Sequence, residues 1–234
     1  MPDLFRAGEL NMSTEPLAAA GGPMEWADCA VNHWAVVICV IVLVLGLFDL
    51  IRLFPGLFRC LPLWKGNLDL EHSVSMARTR NYIALAAGLA FCIMADRWGL
   101  VAPSFKLMLA PEWHLPVTIG LLGGTVLLRR LAYLASRFRS RTSEYSSTLR
   151  HTLYNYLILL TALMLASVVL MVALRLQDIV VQTVLYVEGA VFYLIHLVRT
   201  SQIFGSRYGS LATILYLCAL EILPVGILIF VCTI

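Results

Sequence analysis

Residues 153–198 read LYNYLILLTALMLASVVLMVAL, then RLQD, then IVVQTVLYVEGAVFYLIHLV. Each of the two apolar runs is long enough to cross the hydrocarbon core of a bilayer, which takes roughly 20 residues of α-helix. Only the residues from Arg175 to Asp178 separate the two runs. The pattern therefore predicts two membrane-spanning helices joined by a tight hairpin.

The rest of the chain contains four more stretches of the same kind. The six predicted spans cover approximately 34–54, 82–101, 115–135, 153–174, 179–198 and 211–233. We therefore expect an all-α, polytopic membrane protein whose residues 34–234 form a bundle of six transmembrane helices. Residues 1–33 are expected to be a flexible acidic tail on the outer side, in which residues 23–32 could form an interfacial segment.

Composition supports a membrane protein over a water-soluble one. Hydrophobic residues make up 60% of the chain and charged residues 13%, and the mean hydropathy is +0.85. An ordinary soluble domain is about 45–50% apolar and about 25% charged. A water-soluble fold of this size could not hide so much apolar surface, whereas lipid-facing helices have no need to hide it.

The distribution of positive charge predicts the orientation in the membrane. The loops after the first, third and fifth predicted spans hold 13 of the 17 lysine and arginine residues. Cytoplasmic loops of membrane proteins are rich in these residues. We therefore expect those three loops in the cytoplasm and both termini on the opposite side of the membrane.

Two acidic residues lie deep within the predicted spans. Glu188 is in the fifth span and Glu221 in the sixth, and an ionisable group at mid-membrane costs about 2.5–3.5 kcal/mol on insertion scales. We expect the two acids at similar depth in an antiparallel hairpin, with Pro224 opening the helix beside Glu221 because proline cannot donate a backbone hydrogen bond. The predicted proton or ion site comprises Glu188, Glu221, Pro224, Cys218, Tyr186, Tyr193 and His196.

The alternative for these acids is a structural role. A protonated carboxyl would then bond to Tyr186, Tyr193, Gln182 or the carbonyl of Leu220. No basic residue that matches the acids at membrane depth is evident in the sequence, which favours this alternative. Two pairs near helix ends, Asp49 with Arg52 and Asp96 with Arg97, are expected to be local ion pairs.

Small residues at four-residue spacing predict close contacts between helices. Ordinary packing within the bundle is the first interpretation, and a dimer interface is the second. The residues concerned are Gly120, Gly124, Ala84, Gly88, Ala162 and Ala166.

The third predicted loop is rich in arginine. It is expected to fix the topology, and it could also hold anionic lipid headgroups or an acidic partner. The arginines concerned are Arg129, Arg130, Arg137, Arg139 and Arg141.

Several kinds of site are not predicted. The sequence has no GxGxxG, Walker A, HExxH or GxSxG motif and no Cys/His cluster with metal-ligand spacing, so no cofactor, no metal and no nucleic acid is expected. Of the six cysteines, only Cys29 is expected to be exposed on the outer side, and Cys60 is placed in a cytoplasmic loop.

The run ILYLCALEILP at residues 214–224 resembles the closing signature of a family of Bacteroidota inner-membrane proteins known only as a domain of unknown function. Total length, helix count and the Asn-Tyr pairs that open the second and fourth spans are also similar, so the resemblance extends from about residue 35. It implies a small helical envelope protein and carries no activity, substrate or cofactor. Cys218, Glu221 and Pro224 match the most recognisable positions of the signature.

Three functions are compatible with these features. The first is an integral inner-membrane subunit or assembly factor of a larger envelope complex, without catalysis of its own, whose partners are lipids and other integral membrane proteins. The second is a small proton- or ion-coupled transporter that uses Glu188 and Glu221. The third, ranked last, is an intramembrane enzyme, because neither acid lies in a motif with a nucleophile or a metal.

Overall fold

The structure is a computed structural model that describes residues 26–60, 74–135, 143–205 and 210–233. These residues form helices and connecting turns, without a strand among them. The helices are α1 (Ala30–Cys60), α2 (Val74–Arg97), α3 (His114–Ala135), α4 (Ser143–Ala173), α5 (Asp178–Gly205), α6 (Ser210–Leu217) and α7 (Leu223–Thr233). A π-helical turn (Cys218–Ile222) joins α6 to α7. The expectation of an all-α protein is confirmed for the described part of the chain.

Five helical segments are long and apolar enough to cross a membrane. They are Ala30–Cys60, Pro111–Ala132, Thr152–Ala173, Asp178–Ile203 and Thr213–Thr233. The span predicted at 82–101 falls on α2, which is not among the five. Helix α2 is nevertheless about 36 Å long at 1.5 Å per residue. Its alanines pack against other helices, so it needs fewer large apolar side chains than a lipid-facing helix.

Five helical paths form a ring. Helix α2 packs on α3, and α3 packs on the path formed by α6, the π-turn and α7, through the π-turn and α7. The α6 part of this path packs on α5. Helix α5 packs on α4, and α4 packs on α2, which closes the ring. Helix α1 lies outside this ring against α2 and α4. Most of its large side chains are exposed, which suits contact with lipid.

Helix α1 differs from the sequence prediction at both ends. It begins at Ala30, and it continues through Pro55 to Cys60. Cys60 therefore lies in the last turn of a helix and not in a loop, and its side chain is fully buried. Cys29 is also buried, so the expectation that it is exposed is wrong. Residues 1–25 of the predicted tail lie outside the described residues, and Trp26–Asp28 form a short 3-10 turn before α1.

The hairpin between α4 and α5 is as tight as the sequence predicts. Arg175 adopts the left-handed conformation with φ of 54°. The Arg175 N–H donates to the carbonyl of Val172 at 3.0 Å, and the Leu176 N–H donates to Met171 at 3.1 Å. This is a Schellman ending, which usually has glycine at the left-handed position. Helix α2 ends in the same way at Gly99, where φ is 62°.

A buried ion pair ties together the end of the bundle where α2 meets α3. Lys106 Nζ lies 2.5 Å from Asp96 Oδ1 and donates to Thr118 Oγ1 at 2.9 Å. Trp26 Nε1 donates to the other carboxylate oxygen of Asp96 at 2.7 Å. The partner of Asp96 is therefore Lys106, and the predicted pair with Arg97 is wrong.

The other predicted local pair is also replaced by a different contact. The Arg52 guanidinium lies 4.2 Å from the ring centroid of Phe48. Within the described part of the chain, it forms no ion pair with Asp49, whose side chain is exposed. A cation at this distance from an aromatic ring is attracted by the partial negative charge of the ring face, much as it would be attracted by a carboxylate.

Candidate functional site

The backbone at Glu221 departs from regular α-helix. The Leu223 N–H bonds to the carbonyl of Cys218, five residues earlier, and defines the π-turn. The next residue, Pro224, has no N–H to donate and is buried. A single π-turn inside an α-helix widens the helix locally, and such turns are frequent at functional sites. The sequence prediction of an opened helix beside Glu221 thus agrees with the observed turn.

The Glu221 side chain binds Arg129 of α3 through two hydrogen bonds. Arg129 Nε donates to Oε2 at 2.9 Å, and Nη2 donates to Oε1 at 2.7 Å. The two side chains are 9% and 2% exposed. Two parallel N–H···O bonds between a guanidinium and a carboxylate are the strongest and most direction-dependent form of this ion pair.

His196 of α5 is the second partner of Glu221. Its Nε2 lies 3.1 Å from Glu221 Oε2. An ionised carboxylate can only accept a hydrogen bond, so Nε2 carries the proton. The Tyr156 ring meets the imidazole edge-on, with 5.4 Å between the ring centroids. The Arg129–Glu221–His196 cluster therefore joins three helical paths, and Tyr156 adds a contact from a fourth.

Tyr193 also bonds to Glu221, but not to its carboxylate. The Tyr193 hydroxyl donates to the backbone carbonyl of Glu221 at 3.1 Å. The sequence suggested four hydrogen-bond partners for Glu221: Tyr186, Tyr193, Gln182 and the Leu220 carbonyl. Among the described residues, Tyr193 is the only one of these four that bonds to it. Gln182 and Tyr186 instead donate to the Gly99 carbonyl, at 3.5 and 3.2 Å, at the opposite end of α5.

Among the described residues of the cluster, the charges balance as long as His196 is neutral. The Arg129 cation and the Glu221 anion then cancel. Removing one partner of a buried ion pair costs about 3–5 kcal/mol, because the other charge is left unpaired. Protonation of Glu221 has the same electrostatic effect as removing its charge, so it would take away the carboxylate charge that pairs with the Arg129 guanidinium.

Glu188 belongs to a separate site. Its Oε1 accepts a hydrogen bond from Ser167 of α4, and its Oε2 is buried without a hydrogen-bond partner among the described residues. The Glu221 carboxylate meets His196, which lies eight residues beyond Glu188 on α5, or about 12 Å along the helix. The expectation that the two acids lie at similar depth is therefore wrong.

Arg129 is a partner of Glu221 that was not predicted from the sequence. The residue lies inside α3, within the span predicted at 115–135, but was assigned to the following loop together with Arg130. Adjacent residues on a helix point about 100° apart. Arg129 turns into the bundle and Arg130 is exposed, so of these two arginines only Arg130 can contact a lipid headgroup. Arg137, Arg139 and Arg141 lie outside the described residues.

The predicted packing residues divide into two groups. Ala84 is buried between α1, α2 and α4, and a Cβ at Gly88 would lie 3.8 Å from Leu157 of α4. Gly120 and Gly124 are exposed, and a Cβ at either would meet nothing within 4 Å. The interpretation of Gly120 and Gly124 as ordinary packing within the bundle is therefore wrong.

Three further residues predicted from the sequence have side chains that form none of the hydrogen bonds of the Arg129–Glu221–His196 cluster. Ala162 is half-buried, while Ala166 and Cys218 are exposed. The described residues include no group of three or more His, Cys, Asp and Glu side chains that could hold a metal ion.

Comparison of the chain with protein-family models, with curated proteins and with solved structures finds no match in any of the three. The resemblance of residues 214–224 to the Bacteroidota family stays a prediction. The candidate function therefore rests on the geometry of the Arg129–Glu221–His196 cluster.

Proposed function

We propose that this chain is a proton-coupled membrane transporter for a small anion, in which Glu221 binds and releases the coupling proton. The observation that carries the proposal is the buried pair of Arg129 and Glu221, with His196 on the same carboxylate. Ionisable groups inside membrane-spanning bundles are rare, and they commonly mark ion and substrate pathways.

The coupling follows from charge balance. Arginine stays charged in proteins, so protonation of Glu221 removes the negative charge that this carboxylate presents to the Arg129 cation. An anion that enters the cluster restores neutrality and replaces the carboxylate on the planar guanidinium. Loss of the proton returns the Glu221 charge, which competes with the anion for Arg129 and releases it. One proton and one negative charge thus move together.

The proposal includes the arrangement in the membrane. Six spans, with α2 as the enclosed one, cross the inner membrane of a bacterium with both termini outside. The five apolar segments and the skewed distribution of lysine and arginine support this topology. In this orientation the Arg129–Glu221–His196 cluster lies in the cytoplasmic half of the bundle.

Proton flux in proteoliposomes tests the proposed function. The purified protein is reconstituted into vesicles that contain a pH-sensitive dye, and gradients of chloride, phosphate, sulfate and succinate are applied in turn. We expect at least one anion gradient to acidify the vesicle interior. Glu221→Gln keeps the size of the side chain but cannot release a proton, so its flux should fall to that of protein-free vesicles.

Asp49→Asn is the matched control for this experiment. It makes the same carboxyl-to-amide change on an exposed side chain of α1 and should leave the flux unchanged. Full flux with Glu221→Gln would exclude an obligatory proton on Glu221. Absence of proton movement with every anion would count against transport and favour the second candidate.

The second candidate is an integral subunit or assembly factor of a larger envelope complex. The observation that favours it is the exposed glycine face of α3, where Gly120, Gly123 and Gly124 meet nothing within 4 Å of an added Cβ. Glycine faces let membrane helices approach closely. Affinity purification from cells in mild detergent, followed by mass spectrometry, should then recover a stoichiometric membrane partner.

A glycine-to-leucine pair makes this second test specific. Gly124→Leu should lose the partner, while Gly226→Leu should retain it, because Gly226 lies on α7 and is equally open. Equal recovery of a partner with both variants would show that the glycine face of α3 is not the contact.

A further inference from the structure

The side of His196 that faces away from Glu221 ends in a buried nitrogen without a partner. His196 is 2% exposed, and its Nδ1 has no hydrogen-bond partner among the described residues. Because Nε2 carries the proton, Nδ1 of the neutral ring is an acceptor. A buried acceptor that finds no donor costs about 1–3 kcal/mol, so buried polar atoms nearly always have a partner in the protein or an ordered water.

Thr200 lies one helical turn beyond His196 on α5 and also has a buried polar atom without a hydrogen-bond partner. It is fully buried, and its Oγ1 has no hydrogen-bond partner within the described ranges. A buried threonine in a helix commonly donates to the carbonyl four residues earlier. Buried Thr118 does so at 3.0 Å, and exposed Thr183 forms the same bond at 2.7 Å. The Thr200 hydroxyl does not, so it is available to another group.

Helix α4 covers this part of α5 with buried side chains. Tyr156 contacts the His196 ring and donates its hydroxyl hydrogen bond to the Cys60 carbonyl at 3.1 Å. Thr152 is fully buried one turn earlier on the same face of α4. His196 Nδ1 and Thr200 Oγ1 are therefore enclosed by protein and do not face lipid.

We infer that a water molecule binds between His196 Nδ1 and Thr200 Oγ1 and connects Glu221, through the imidazole, to the end of the bundle where α5 terminates. A buried water typically makes about three hydrogen bonds to polar groups that would otherwise be unsatisfied. The imidazole nitrogen accepts from this water, and the threonine hydroxyl can donate to it or accept from it. The inference rests on the proposed function, because it gives the proton of Glu221 a route.

The proton balance along this route is simple. The water receives one proton from solvent as it gives one to Nδ1, so it stays neutral, and the proton on Nε2 passes to Glu221 Oε2. The imidazole exchanges one tautomer for the other and gains no net charge, while Glu221 becomes neutral. The reverse passage returns the proton through the water to solvent and restores the first tautomer. Histidine is suited to such a shuttle because its two nitrogens can act as donor and acceptor.

The charged and titratable groups around His196 come from several helices. Tyr156 faces it from α4, Glu221 from the π-turn, and Arg129 from α3 through that carboxylate. Tyr193 lies on the same helix and bonds to the Glu221 carbonyl. Only Glu221 and His196 exchange a proton in the inferred route.

Water-edited solid-state NMR on the full chain in proteoliposomes tests the water site directly. Histidine is labelled with ¹⁵N, and the signal of His196 is assigned from the spectrum of His196→Gln. We expect magnetisation from water to reach Nδ1 of His196 in the parent protein and in Thr200→Ser, which keeps the hydroxyl. Thr200→Val, which has almost the same shape without the hydroxyl, should lose this transfer.

The same variants, assayed for proton flux, separate the inference from the proposed function. We expect Thr200→Val to reduce flux about tenfold, as the loss of one hydrogen bond would, and Thr200→Ser to retain it. No water transfer to His196 in the parent protein overturns the water site, whatever the flux. Flux that depends on Glu221 but is unchanged in Thr200→Val overturns the route and leaves the proposed function intact. Water transfer without proton flux in any variant supports the site and removes the proposed function.

Discussion

Arg129 and Glu221 are 92 positions apart in the sequence, yet their side chains form two hydrogen bonds of 2.9 and 2.7 Å inside the helical bundle. The pair links α3 to the π-turn between α6 and α7. It places a cation directly against the acid that was most conspicuous in the sequence. The absence of a basic partner had favoured a structural role for Glu221, and this contact removes that argument.

Breaking the pair from one side should be more damaging than removing both charges. Arg129→Met leaves a buried carboxylate, and we expect the free energy of unfolding to fall by about 3–5 kcal/mol. The double variant Arg129→Met with Glu221→Leu removes both charges of this pair and should recover most of this loss. Reversible unfolding in mixed detergent and SDS micelles measures both. A double variant that is less stable than Arg129→Met would contradict the expectation.

The ion pair at the other end of the bundle gives an independent prediction. Lys106→Met leaves the Asp96 carboxylate, which is fully buried, without its cation. We expect a loss of about 3 kcal/mol in the same unfolding assay. Arg97→Met is the control, because Arg97 is exposed and only approaches the Trp26 ring at 5.7 Å. A cation–π contact at an exposed site contributes about 0.5–1 kcal/mol, so equal losses would argue against the buried pair.

The two Schellman endings both favour glycine at the left-handed position, so introducing glycine at one and removing it at the other should have opposite effects on stability. Arg175 occupies a left-handed position, which costs a residue with a Cβ about 1–2 kcal/mol. Arg175→Gly should therefore raise the melting temperature in detergent by a few degrees. Gly99→Ala should lower it, since its φ is also positive and its new Cβ would lie 3.5 Å from Gln182. Changes of the same sign in both variants would contradict this explanation.

Topology can be tested with new cysteines, because the native Cys29 and Cys60 are both buried. Glu112 precedes α3 and Gln202 lies near the end of α5, and both are exposed. In intact cells, a membrane-impermeant thiol reagent should label Glu112→Cys. It should label Gln202→Cys only after the membrane is opened. The reverse pattern would invert the proposed orientation without changing the fold.

Much of the fold follows from local properties of the sequence. Runs of about 20 apolar residues require helices in a bilayer, because every backbone polar group must bond within its own segment. The hairpin at Arg175 and the opened helix at Pro224 are equally local, since each depends on a few neighbouring residues. These features were therefore predictable from the sequence without knowing which helices touch.

Which residues form the site depended on how each helix is rotated about its axis and on which helices it contacts. The sequence of a single helix determines neither. Arg129 and Arg130 are chemically identical neighbours, and only the packing of α3 decides that the first turns inward and the second outward. The depth of Glu221 relative to Glu188 likewise follows from how α6 packs along α5. The apolar pattern of the sequence alone determined a helical membrane protein with buried acids. The tertiary structure decided which charge each acid meets, because an ion pair forms between helices that are distant in the chain.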